Sequence, residues 1–178
     1  MKIKIYVYFE GVLAGFDGRV KELGIAPINK DYSTAEEHKE DVRRFWEQIH
    51  EEKHFYDGLT PLPGSLEMVR TLYGEYKNIV VVSDSIDDNG LNDTRVWIQK
   101  YLNEKVDLKN GGLYLSSGHE NRKYILIDSR EEGINYWCDN GGRGIVYRSP
   151  QDTLDRINGI VEALHLEDQK MFADKWEQ

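Results

Sequence analysis

The sequence predicts an α/β fold: a Rossmann-like, mostly parallel sheet with helices on both faces and a small helical insertion. Two observations carry that expectation. The runs IKIYVYF (3–9) and IVVVS (79–83) are apolar almost throughout instead of alternating, the profile of strands covered on both sides. Around them lie segments with apolar residues at helical spacing, so that strand-like and helix-like pieces alternate along the chain.

The first strand, 3–9, has Lys4 as its only charge and stops at Glu10-Gly11. After a loop with Pro27, residues 33–50 open with Ser33 and Thr34, followed three residues later by Glu36 and Glu37, a capping-box pattern. This helix places Val42, Phe45, Trp46 and Ile49 on one face. A second helix begins at Ser65, expected as its N-cap, with Leu66, Val69, Leu72 and Tyr73 inward. Strand 79–83 leads to helix 93–103, with Val96, Trp97, Tyr101 and Leu102 inward. Then come a short strand at Leu113–Leu115, a stronger one at Tyr124–Asp128, and a helix at Glu131–Asn140 that ends at Gly141-Gly142. A strand at Gly144–Tyr147 and a helix at Thr153–Leu164, with Leu154, Ile157, Val161 and Leu164 inward, complete the pattern. Glu167–Gln178 reads as a solvated terminal helix. Segment 19–60 is far longer than an ordinary crossover and reads as an inserted helical cap within a single domain spanning 1–178.

A length of 178 residues with 39% hydrophobic content fits one such domain. The net charge of −9 weighs against nucleic acid as a partner, because binding the phosphate backbone needs a basic face. A protein partner or a homo-oligomer stays open. The single cysteine, Cys138, rules out an intramolecular disulfide and a cysteine-rich zinc site, and beside Trp137 it reads as a small core residue. No window approaches the ~18 apolar residues of a membrane span, and the run after Lys2 and Lys4 is too short for a signal-peptide core. The expectation is a cytoplasmic protein without a membrane partner.

Parallel α/β sheets build their sites at the carboxyl ends of the strands. Those ends offer Tyr8 and Glu10, Ser83 and Asp84, and Asp128. Two carboxylates suit a hard cation such as Mg²⁺, and a hydroxyl followed by backbone N–H groups suits phosphate oxygens.

The order of these features resembles the haloacid dehalogenase (HAD) superfamily of phosphotransferases, and within it the 5′(3′)-deoxyribonucleotidase-like group. In that group the first strand ends in a D-x-D-G-V-L-A-D-F pattern, over which residues 8–16, YFEGVLAGF, lie without a gap. PLPGSLEMVR (61–70), VVVS (80–83), TRVWIQKYL (94–102) and YILIDS (124–129) are similar to the group's further motifs in the same order. The resemblance runs from about residue 3 to 148. It implies a HAD-like fold, Mg²⁺ as cofactor and a nucleotide or other phosphorylated ligand.

The departures fall on the chemistry. The family's nucleophilic, Mg²⁺-binding aspartate is here Tyr8, and its general acid-base aspartate is Glu10, whose extra methylene displaces the carboxyl. The aspartate that follows in the first motif is Gly15, the phosphate-neutralising lysine aligns with His119, with Arg122 or Lys123 nearby, and the second aspartate of the last motif is Ser129. Ser83 and Asp128 remain, Asp128 as the one carboxylate at a metal position. A phenol with a pKa near 10 neither holds Mg²⁺ at neutral pH nor forms an acyl phosphate. The expectation is a pseudophosphatase that keeps a phosphate- or nucleotide-binding cleft lined by Ser83, Asp84, His119 and Lys123. Two alternatives stay open: a phosphatase of altered mechanism, in which Glu10 or Asp128 activates water beside a metal, and an interaction protein that uses only its surface.

Tyr8 itself reads either as an aromatic filling the space of a lost metal site or as a stacking platform for a ligand. His119 in its Gly-Ser loop reads as solvent exposed, and Trp46, Phe55 and Tyr56 read as core. DSIDDNG (84–90) lacks the 12-residue spacing and closing glutamate of a calcium loop.

Overall fold

The computed structural model describes residues 2–29, 31–85, 87–102, 106–111 and 123–174. Its strands are Lys4–Tyr8 (β1), Ile79–Ser83 (β2), Asp107–Asn110 (β3), Tyr124–Asp128 (β4) and Arg143–Val146 (β5). They form one sheet in the order β3-β2-β1-β4-β5. Every pairing is parallel, with Tyr8 opposite Val82 and Val7 opposite Ile127. The helices are Phe16–Glu22 (α1), Ala35–Glu51 (α2), Ser65–Tyr76 (α3), Asp88–Tyr101 (α4), Glu131–Asp139 (α5) and Pro150–Asp174 (α6). This is the expected mostly parallel α/β architecture.

The three central strands form where β-branched and aromatic residues are densest, because only such side chains fill both faces of a sheet covered by helices. Ile5, Tyr6, Val7, Tyr8, Val80, Val81, Ile125 and Ile127 are fully buried. Tyr6 meets Trp137 of α5 edge-on at 5.3 Å, and Phe9 meets Trp97 of α4 at 4.9 Å. Trp97 also donates its Nε1–H to the Leu59 carbonyl at 2.6 Å, tying α4 to the segment before α3.

Helix α2 starts as its sequence dictates: the Thr34 hydroxyl accepts from the Glu37 N–H and the Glu37 carboxylate accepts from the Thr34 N–H. Such a cap contributes about 1 kcal/mol. Phe45 and Ile49 are buried, with Val42 and Trp46 half-buried beside them. Phe16 of α1 packs against Phe45, Trp46 and Phe55, so residues 16–59 carry an aromatic cluster of their own.

Several expectations are corrected. Ser65 is not the N-cap of α3. Gly64 holds that position in the left-handed conformation, and Ser65 is fully buried with its hydroxyl donating to the Leu62 and Leu13 carbonyls. Val96 is exposed, because Thr94, Trp97 and Ile98 take the buried face of α4, and the helix begins at Asp88, five residues early, under an Asp87 cap. Cys138 is exposed too, since Ile134 and Trp137 occupy the inward stripe of α5. The third strand is Asp107–Asn110, and the expected Leu113–Leu115 lies outside the described residues. Helix α6, Pro150–Asp174, joins the helix expected at Thr153–Leu164 to the terminal helix expected from Glu167, whose last residues, 175–178, lie outside the described ones. Among the described residues no helix is long and apolar enough to cross a membrane.

Candidate functional site

From β1 the chain moves to β2 and β3 on one side, then returns across the sheet to β4 and β5 on the other. The reversal opens a crevice at the carboxyl ends of β1, β2 and β4. Tyr8, Glu10, Ser83, Asp84 and Asp128 converge there, all five from the sequence reading, and Arg130 joins them.

Glu10 enters just beyond β1. The Ser83 hydroxyl donates to its Oε1 at 2.7 Å, and the Asp84 backbone N–H donates to Oε1 and Oε2 at 3.2 Å each. These donors, a hydroxyl and the next N–H at a strand end, are the ones suited to phosphate oxygens. Here they hold the protein's own carboxylate. Burial pushes the Glu10 carboxyl up to about 7, the Ser83 bond opposing this and the Asp84 charge adding to it. Ser83 also serves as acceptor for the Ser85 N–H at 3.3 Å, and Thr94 beside it donates to the Gly90 carbonyl.

Tyr8 is fully buried and donates its hydroxyl proton to Asp84 Oδ1 at 3.0 Å. Burial, then the Asp84 charge, holds its pKa well above the ordinary phenol value, so the group is neutral. A methyl group on Gly111, just after β3, would collide with both partners, so only glycine lets the chain pass so close. Over the ring stands the Arg130 guanidinium, 4.2 Å from the centroid.

Arg130 is the centre of the arrangement. Its Nε donates to both oxygens of the fully buried Asp128 at 3.2 Å, Nη2 adds a bond to Oδ2 at 2.9 Å, and Nη1 pairs with Asp84 Oδ2. The Arg130 backbone N–H also donates to Asp128 Oδ1 at 3.0 Å. Burial works against the cation, but the bonds to Asp128 and the charges of Asp84 and Asp128 outweigh it and keep the guanidinium firmly protonated.

These residues do not fit the Mg²⁺ that the resemblance implies. A hard dication needs several oxygen ligands free to point at it. Both Asp128 oxygens are taken by Arg130, Tyr8 offers a neutral phenol pinned to Asp84, and a positive group already bridges the two aspartates.

The structure does not bring Lys123 to this crevice. Lys123 stands at the amino end of β4, the opposite end from Asp128, and its Nζ pairs with Asp168 of α6 at 2.9 Å. His119 and Arg122 lie outside the described residues. Gly15 caps α1, and the Ser129 hydroxyl packs close to Gly11. The sequence reading missed Arg130, whose signal is a cationic residue two positions after a strand-end aspartate, in a chain with tyrosine where the resemblance implies a metal-binding carboxylate.

The sequence matches no family model and no curated relative. Solved structures do match. A HAD-superfamily hydrolase from Ehrlichia chaffeensis superposes with a TM-score of 0.53 at 13% identity, over 90% of this chain and 99% of that one. A hydrolase from Pseudomonas syringae gives 0.53 at 11% identity, over 88% and 98%. An L-2-haloacid dehalogenase from Xanthobacter autotrophicus, with chloropropionic acid covalently bound, gives 0.50 at 11%, over 81% and 76%. The fold is therefore that of the HAD-superfamily hydrolases. On that fold this chain carries a crevice whose anion donors and facing carboxylates are satisfied by its own Glu10 and Arg130.

Proposed function

We propose that this chain is a pseudophosphatase, a HAD-like protein of the 5′(3′)-deoxyribonucleotidase type that binds rather than turns over. The observation that supports it most is Arg130 bridging Asp84 and Asp128 above Tyr8. Phosphoryl transfer through an aspartyl intermediate needs a carboxylate at position 8 and a metal beside it; a neutral phenol and a guanidinium paired with both aspartates supply neither. Tyr8 is no substitute nucleophile, since its proton is committed to Asp84 and its pKa is raised. The crevice fits a phosphate-bearing ligand such as a deoxynucleoside monophosphate only once the Glu10 carboxyl leaves Ser83 and the Asp84 N–H.

The test is phosphate release from deoxynucleoside 5′- and 3′-monophosphates in the presence of Mg²⁺. Release at the protein-free rate is expected. Mg²⁺-dependent turnover that disappears in Asp128→Asn would overturn the proposal and favour water activation beside a metal at Asp128. In a parallel arm, Glu10→Ala is expected to bind inorganic phosphate at least tenfold more tightly than the unaltered chain, because it frees both donors.

A further inference from the structure

We infer that Tyr56 and Ser85 are positioning residues for anion binding in the crevice: their hydroxyls receive the Glu10 carboxylate when a phosphate group takes its place on Ser83 and the Asp84 N–H. The inference rests on the reading that the crevice binds a phosphate-bearing ligand. A phosphate and the Glu10 carboxylate are both anions and compete for the same two donors, so binding requires Glu10 to move. A carboxylate turned away from its donors inside the fold must meet others, because a buried charge without hydrogen bonds is strongly disfavoured.

Among the described residues, the buried hydroxyls without a hydrogen-bond partner are those of Tyr56 and Ser85. Ser85 is fully buried and Tyr56 is 3% exposed. The Ser85 backbone is committed, its N–H donating to Ser83 Oγ at 3.3 Å and its carbonyl accepting from Asn110 Nδ2 at 2.7 Å, so only its hydroxyl is left over. Tyr56 comes from the connection between α2 and α3, and Ser85 follows β2. The two converge on Gly90 of α4, where a methyl group would lie 2.8 Å from Ser85 Cβ and 2.9 Å from Tyr56 Cε2.

Both lie on the side of Glu10. The Ser83 hydroxyl stands between Glu10 Oε1, 2.7 Å away, and the Ser85 N–H, 3.3 Å away. Burial and then the Glu10 charge, with that of Asp84 next, hold the Tyr56 phenol above its ordinary range, so it keeps its proton. Asp84 is not the acceptor for that proton, since its carboxylate is engaged by Tyr8 and Arg130. Unpaired buried hydroxyls weigh against the resting fold, and a carboxylate turned onto them would replace that cost with charge-assisted hydrogen bonds. Displacement of Glu10 thus exchanges one pair of donors for another instead of stripping the carboxylate.

Calorimetric titration with inorganic phosphate tests this on Tyr56→Phe and Ser85→Ala, each made in the unaltered chain and in Glu10→Ala. With Glu10 present, each substitution is expected to weaken phosphate binding about tenfold, as loss of a hydrogen bond to a charged group does. In Glu10→Ala neither is expected to change the affinity by more than about twofold, because no carboxylate remains to be received. Neither substitution removes a bonded group from the resting fold, so phosphate-free melting curves are expected to match those of the parent chains. Loss of affinity that persists in Glu10→Ala would mean that the hydroxyls touch the phosphate itself, and no loss in either background would mean that they serve no anion. Either result overturns the inference and leaves the reading of the crevice standing. Phosphate bound by Glu10→Ala but not by the unaltered chain would overturn it too, whereas failure of Glu10→Ala to bind phosphate would overturn both.

Discussion

Arg130→Met is expected to lose about 2–3 kcal/mol of stability and to become responsive to Mg²⁺, while the unaltered chain ignores the ion. Removing one partner of a buried ion pair typically costs about 3–5 kcal/mol, because the surviving charge stays desolvated and unpaired. Asp128 is fully buried, which argues for the full figure; the Arg130 side chain is 50% exposed, so solvent screens the pair and moves the expectation below that range. Methionine keeps the length of the side chain and removes only the cation, leaving Asp84 and Asp128 facing one vacated position. A dication can then enter, and because it binds only the folded state it restores stability as its concentration rises. Urea unfolding of both proteins with and without Mg²⁺ checks this. Equal stabilisation of the two would show that the aspartates accept metal with Arg130 in place, and the pseudophosphatase reading would fall with that result.

The second large effect is a loss of stability as pH rises from about 4.5 to above about 7, carried by Glu10. Its folded-state pKa of about 7 lies above the ordinary 4.5, so across this window the folded chain holds a proton that the unfolded chain has released. Stability falls with pH wherever the folded state binds more protons, and a difference of this size amounts to at most about 3 kcal/mol over the whole window. Below the window the contribution is fully present; above it, the ionised carboxylate bears its burial with only Ser83 and the Asp84 N–H to support it. Glu10→Gln removes the titration, so its urea midpoint is expected to vary less between pH 5 and 8. Parallel profiles for the two proteins would mean that the Glu10 carboxyl is not buried in the sense described.

The central strands and the amphipathic helices were legible because their signals are local. IYVY and IVVVS fill two faces at once, and Thr34 and Glu37 close a helix end within four residues. β3 was not legible: Asp107–Asn110 reads DLKN, with no apolar run, and is a strand because the edge of β2 offers it a register. Helix α1 was missed for a similar reason, since a seven-residue stretch containing Gly18 and a single buried residue, Val20, depends on the aromatic cluster around it. At the site, the sequence named Tyr8, Glu10, Ser83, Asp84 and Asp128 because strand ends and motif order locate them. It could not show that Glu10 turns onto Ser83 or that Arg130 reaches across 46 positions to Asp84, since both are facts of side-chain direction. Proximity in sequence misled for Lys123, whose position at the far end of β4 commits it to α6.

Because Tyr8, Asp84, Asp128 and Arg130 satisfy one another, their substitutions cannot act independently. A carboxylate placed at position 8 in the present background would lie under the Arg130 guanidinium and form one more ion pair with it, tightening the block instead of clearing it. Removing Arg130 first would strand two aspartates. A change at any one of the four therefore carries the cost of the partners it leaves behind, and only changes made together separate their effects. The crevice works as an interlock: no member can be replaced without disturbing what holds the others in place.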